Sequence, residues 1–140
     1  MQISGYILVA LTGGAIALSG CTPSYVMETA PVTGKVTCNG ELVTEGYIVF
    51  TPVVQKSADP TQSGKSGYAT IQSDGTYVVS TYDEEDGAVI GTHQVRIYKP
   101  DPEDDEQIIE EPFVCGEHVI EVTVTEDDNV IDLDPATMRQ

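Results

Sequence analysis

The chain has 140 residues and a mass of 15.0 kDa, which suits one ordinary domain and excludes a large multidomain enzyme. Six Lys and Arg against 23 Asp and Glu give a formal net charge of −17. This charge argues against nucleic acid or an anionic membrane surface as an electrostatic partner, because phosphates are bound by basic residues.

The N-terminal segment differs from the rest of the chain. Residues 6–18 are apolar or small, and the first charged side chain is Glu28. As a helix this run would cover about 20 Å, which is short of the roughly 30 Å hydrocarbon core of a bilayer. The pattern therefore predicts the apolar region of a secretory signal.

The apolar run ends in Leu18, Ser19, Gly20 and Cys21. This tetrapeptide resembles the lipobox of bacterial lipoproteins, in which the Cys thiol receives diacylglycerol and becomes the mature N-terminus. The resemblance implies a signal peptide over 1–20, lipidation of Cys21 and a location at the cell envelope, with the membrane as partner through the lipid. An ordinary cleaved signal, or an uncleaved anchor with an incidental Cys, is the alternative.

The remaining residues have the composition of an all-β domain. Val, Ile and Thr supply nearly a third of residues 21–140, whereas Leu occurs there only as Leu42 and Leu133. Alternation of apolar and polar residues recurs with period two, and no helical period extends over three turns. Residues 21–30 have no apolar period and are expected to form a tether.

The alternation predicts seven short strands separated by turn signals. Asn39-Gly40 favours a type I′ hairpin turn, and Ser73, Asp74 and Gly75 favour another tight turn. We therefore expect a seven-stranded antiparallel β-sandwich. Its strands are predicted at 32–38, 46–53, 66–72, 75–81, 92–99, 118–125 and 129–134.

A loose motif extends through these strands and turns. It comprises Pro31, Val32, Gly34, Val36 and Gly40, then Gly46, Ile48, Phe50 and Pro52, then Asp74, Gly75 and Tyr77, and finally Gly91, His93, Val95 and Ile97. The motif resembles the carboxypeptidase regulatory-like (transthyretin-like, prealbumin-type) domain of short bacterial lipoproteins. The resemblance covers 31–134, leaves 135–140 as a C-terminal tail, and implies a prealbumin/Ig-like sandwich without peptidase activity. His93 departs from the family, which usually has an aromatic residue there.

The two His are the only candidates for a catalytic base of the imidazole type. His93 and His118 both fall at inward positions of predicted strands, so we expect them to be sheet residues that are partly buried or at the rim. No His-x-Glu-x-x-His, Cys-x-x-Cys, Gly-x-Ser-x-Gly or glycine-rich phosphate loop occurs in the sequence. A hydrolase that uses His93 or His118 is the weakest of the functional hypotheses.

Cys38 and Cys115 remain if Cys21 is lipidated. An even number of Cys in an exported protein favours a disulfide, and a bond between these two would close a loop of about 77 residues. Two free buried thiols are the alternative.

The acidic residues are concentrated in three runs, at 83–86, 101–111 and 126–128. Ca²⁺ takes oxygen ligands from flexible loops, so the middle run supplies candidate metal ligands. Runs of acids are also typical of a solvated, self-repelling surface, and Asp86 before Gly87 suits a turn. The candidate ligands are Asp101, Glu103, Asp104, Asp105 and Glu106.

Four tyrosines, Tyr68, Tyr77, Tyr82 and Tyr98, could form an aromatic face for a glycan or a peptide, or could simply be half-buried strand residues. The sequence as a whole predicts a non-enzymatic, lipid-anchored extracytoplasmic module that needs no cofactor. Its role would be structural, or binding to an envelope protein or glycan. A Ca²⁺-dependent adhesion or glycan-binding module that uses the acidic loops is the alternative.

Overall fold

The computed structural model describes residues 26–53, 64–99, 115 and 119–138. Within these ranges the regular structure is entirely β, and no helix is long and apolar enough to span a bilayer. The strands are β1 (Thr29–Ala30), β2 (Val32–Lys35), β3 (Thr37–Cys38), β4 (Glu41–Leu42), β5 (Tyr47–Pro52), β6 (Gly67–Thr70), β7 (Thr76–Val78), β8 (Ala88–Val89), β9 (Gly91–Tyr98), β10 (Ile120–Val124) and β11 (Asn129–Val130).

The largest sheet has four strands in the order β10-β9-β5-β6, all antiparallel. Its strands alternate between buried and exposed residues, as the period of two in the sequence predicts. In β5, for example, Ile48 and Phe50 are buried, whereas Tyr47 lies on the outer face. In β10 the buried residues are Ile120, Val122 and Val124.

A second sheet has three strands in the order β11-β2-β7. β7 runs antiparallel to β2, but β11 runs parallel to it, and Val36 and Leu133 continue the parallel pairing beyond β11. The prediction of a purely antiparallel sandwich is therefore wrong at this pair. The physical reason is that the connection from β10 leads into the other sheet, so β11 does not form a hairpin with β10.

The apolar faces of the two sheets form one core. Phe50 of β5 and Tyr77 of β7 lie with ring centroids 6.1 Å apart, and the Tyr77 hydroxyl donates a hydrogen bond to the Ile131 carbonyl. A Cβ on Gly34 would clash with that same carbonyl, so the close approach of β2 requires glycine. At one edge, an antiparallel bridge between Tyr68 and Ser80 joins the two sheets. The arrangement is consistent with a β-sandwich.

The predicted tight turns are present. Asn39 and Gly40 both have positive φ, 53° and 85°, and connect β3 to β4 in the manner of a type I′ turn. In the second turn an Asp74 carboxylate oxygen accepts hydrogen bonds from the Thr76 amide at 3.0 Å and the Thr76 hydroxyl at 2.6 Å. These bonds hold the pKa of Asp74 below its usual value.

The ends of the domain extend beyond the predicted boundaries. Residues 21–30 were expected to be a tether, but Thr29–Ala30 form β1 because β8 offers them a pairing edge, and Ala30 is buried. The Met27 amide also donates to the Tyr82 hydroxyl at 3.1 Å. At the other end, the expected tail begins with a fully buried Pro135, and Met138 packs against the core.

Candidate functional site

Several predicted site residues lie outside the described ranges. They are Cys21, His118 and the five acidic residues of the candidate calcium site, Asp101, Glu103, Asp104, Asp105 and Glu106. Lipidation and metal binding at these positions therefore stay predictions. Among the residues that the structure does describe, no group of three or more His, Cys, Asp or Glu is arranged to hold a metal ion.

The acidic run at 83–86 has a local structural role through Asp86. One oxygen of its carboxylate accepts a hydrogen bond from the Thr81 amide at 2.6 Å, and the other accepts from the amides of Tyr82 and Asp83 at 3.0 and 3.1 Å. A carboxylate that accepts three backbone N–H groups organises a turn, as predicted for Asp86. The Ser80 hydroxyl, which accepts from the Glu85 amide at 2.8 Å, fixes the same loop from its other side.

His93 lies in the core. Its exposed fraction is 0%, its ring makes an edge-on contact with Phe50 at 6.0 Å, and its Nδ1 lies 3.1 Å from the Gly91 carbonyl. The buried Nε2 has no hydrogen-bond partner within the described part of the chain. Burial lowers the pKa of His93, which favours a neutral imidazole that donates from Nδ1. The inward position predicted from the strand pattern is confirmed.

The structure contains a disulfide between Cys38 and Cys115, with a Cα–Cα distance of 5.9 Å. This separation lies within the range that disulfide geometry allows. The bond ties the β3-β4 hairpin to the segment that precedes β10, and Cys115 packs against the core.

The tyrosines do not form one face. Tyr77 is buried, and burial raises the pKa of its hydroxyl. Tyr82 is half-buried, and its hydroxyl accepts from the amides of Met27 and Lys65. Tyr68 and Tyr98, by contrast, are 53% and 39% exposed on the outer face of the four-stranded sheet.

Tyr47 joins this outer face, although the aromatic set singled out in the sequence omits it. Its ring stacks on that of Tyr98, with centroids 5.0 Å apart and an angle of 14° between the planes. The cause is the register, since Tyr47 of β5 lies directly opposite Tyr98 of β9 and opposite Thr70 of β6. The signal was available in the sequence, because Tyr47 alternates with the inward Ile48 and Phe50.

Beside these rings lies an open groove of about 710 Å³. It crosses β5 and β6 and reaches β7 where the Tyr68–Ser80 bridge brings the two sheets together. Its lining comprises Tyr47, Tyr68, Ala69, Thr70, Gln72, Val78, Ser80, Glu84 and Glu85. The groove therefore combines aromatic rings, hydroxyl and amide groups, and two carboxylates on the loop that Asp86 holds.

Comparison with known proteins does not identify a family for this chain. No family model matches the chain, and no curated protein matches it. A solved structure with some similarity is a DUF3823 family protein from Parabacteroides merdae, with 11% sequence identity and a TM-score of 0.45. The similarity covers 77% of this chain and 46% of that one, so the chain spans less than half the length of that structure.

Proposed function

We propose that the protein is a non-enzymatic binding module of the cell envelope, anchored through a lipid on Cys21. In this proposal it uses a prealbumin-type β-sandwich of the carboxypeptidase regulatory-like class to hold a partner in the groove beside Tyr47 and Tyr68. The observation that carries the proposal is the exposed tyrosine surface on the four-stranded sheet.

A single tyrosine on the outer face of a sheet is common, but here three of them form a cluster. Aromatic side chains dominate the energetics of interfaces and present a flat apolar face together with a polar hydroxyl. Here the pairs across the strands place Tyr47, Tyr98 and Tyr68 on three adjacent strands of one face. A concave surface with clustered rings and a few polar groups is typical of a binding site.

The position of His93 supports a binding role over a hydrolytic one. A catalytic base must lie within hydrogen-bond reach of the proton that it removes. His93 is fully buried between the two sheets. Its Nδ1 lies beside the Gly91 carbonyl, and its Nε2 lies in the core.

Covalent capture from the envelope tests the binding role. Full-length protein is cross-linked in cells as wild type, as Tyr47→Ala with Tyr68→Ala, and as Val130→Ala, which removes a 76% exposed apolar side chain from the other sheet. We expect a cross-linked species that the tyrosine variant loses and the Val130 variant keeps. Species that are the same in all three proteins contradict the proposal.

Metabolic labelling tests the anchor. Cells that express the full chain are grown with labelled palmitate, and the label should be present on the wild type and absent from Cys21→Ser. Labelling that survives this substitution refutes lipidation at Cys21.

A further inference from the structure

We propose that the occupant of the groove is a basic peptide segment of a partner protein, with its Lys or Arg side chains held between the tyrosine rings and the carboxylates of Glu84 and Glu85. This inference rests on the proposed binding function and specifies the chemistry of the partner.

Two tyrosine rings, those of Tyr47 and Tyr68, line the groove. Tyr98 stacks against Tyr47 and supports it as one wall of the groove, while Tyr68 lies on the neighbouring strand and is about half exposed. The face of an aromatic ring carries a partial negative charge and attracts an ammonium or guanidinium group placed over it. Two such rings in one groove give a side chain a defined place to lie.

The negative charge of the groove favours a positively charged ligand. Glu84 and Glu85 are the charged residues among those that line it in the described part of the chain, and Lys and Arg do not occur among them. The whole chain adds a field of the same sign, because its formal net charge is −17. Such a field raises the local concentration of cationic partners and repels anionic ones.

The loop that carries the two carboxylates is held in place. Asp86 binds the three amides that precede Glu84, and the Glu85 amide donates to Ser80, with Glu85 itself at a φ of 57°. A ligand therefore meets acidic groups whose backbone is already fixed, which reduces the entropy cost of binding. Thr70, Gln72 and Ser80 offer side-chain hydrogen-bond groups to a peptide along the same groove.

A neutral glycan is the main competing occupant. Sugar rings stack on tyrosine, but their binding does not need the negative charge at position 84 or 85. The two occupants therefore differ in how binding responds to replacement of glutamate by glutamine, which keeps the shape of the side chain and removes its charge.

The test uses full-length protein in a nonionic detergent and a fluorescently labelled decamer of alternating Lys and Gly as the probe. Binding is measured by anisotropy for the wild type, for Glu84→Gln with Glu85→Gln, and for Tyr47→Ala with Tyr68→Ala. The matched control is Glu126→Gln with Asp127→Asn, which removes the same charge from exposed residues outside the groove. We expect each groove variant to bind about tenfold more weakly and the control to change by less than about twofold.

The inference is overturned if the wild type fails to bind the probe, if the glutamate variant or the tyrosine variant binds unchanged, or if the control loses as much affinity as the glutamate variant. A neutral hexasaccharide such as cellohexaose that binds in place of the peptide, and depends on Tyr47 and Tyr68, would reject the basic peptide and leave the proposed binding function standing. Unchanged cross-linking of the tyrosine variant in cells rejects the binding function itself.

Discussion

The Cys38–Cys115 disulfide is expected to supply a large share of the stability of the domain. The two Cys lie 77 positions apart in the sequence. On the chain-entropy account, closing a loop of this length stabilises the folded state by about 4.5 kcal/mol relative to the open chain. The free energy of unfolding of a natural domain is about 5–15 kcal/mol, so a protein with both Cys replaced by Ala should be only marginally stable.

Urea unfolding under non-reducing conditions measures this contribution. The chain has seven Tyr and no Trp, so tyrosine fluorescence and far-UV circular dichroism are suitable probes. The comparison includes the wild type, the Cys38→Ala and Cys115→Ala double variant, and the wild type with reductant. Cys21→Ser is the control that replaces the Cys outside the disulfide. A loss below about 1 kcal/mol in the double variant, or free thiols at Cys38 and Cys115 in the oxidised wild type, would refute the reasoning.

Three further predictions concern the core, the acidic loop and the metal hypothesis. Because the folded-state pKa of His93 is lowered, the unfolded chain binds a proton first as the pH falls below about 6.5. The contribution of the neutral His93 to stability is therefore complete above that pH and is lost below it, by up to about 1.4 kcal/mol per pH unit. Urea unfolding at a series of pH values measures this dependence, and His93→Phe should remove its part of the fall in the free energy of unfolding. Asp86→Ala should cost about 2 kcal/mol because three amides lose a charged acceptor, whereas Asp83→Asn in the same loop should cost little; equal losses would contradict this role. In thermal unfolding, millimolar Ca²⁺ should leave the midpoint unchanged if the acidic loops are only a solvated surface, whereas a gain that chelator reverses would favour the calcium alternative.

The positions of β5 and β9 could be predicted closely because burial on one face leaves a period of two in the sequence. The prediction of seven strands is wrong, since the described residues form eleven, and the predicted strand at 32–38 is divided into β2 and β3. The pattern around Ile48 and Phe50 predicted β5 and its two faces, and the segment from His93 to Ile97 did the same for β9. The Asn39-Gly40 turn could also be predicted from the local sequence, since few residue pairs accept positive φ at both positions.

Strand pairings that depend on distant partners could not be predicted, although the number of Cys did favour the distant Cys38–Cys115 bond. β1 has two residues and is a strand only because β8 lies beside it, and β8 is equally short. The parallel pairing of β11 with β2 depends on which sheet the chain enters after β10, and local periodicity contains no information about that choice. The groove was missed for a related reason, because its rings and carboxylates come from β5, β6 and the loop after Ser80, which only the tertiary fold brings together.

The hydrogen bond from the Met27 amide to the Tyr82 hydroxyl limits where the proposed module can act. Five residues lie between Cys21 and Met27, so even a fully extended chain would place a lipid on Cys21 within about 20 Å of this fixed point. Tyr82 precedes the groove residue Glu84 by two positions, so a short path would join the acidic end of the groove to the proposed membrane attachment. The module could then bind partners only in the layer of the periplasmic or extracellular space next to the bilayer, and a partner would have to present its basic segment within that layer.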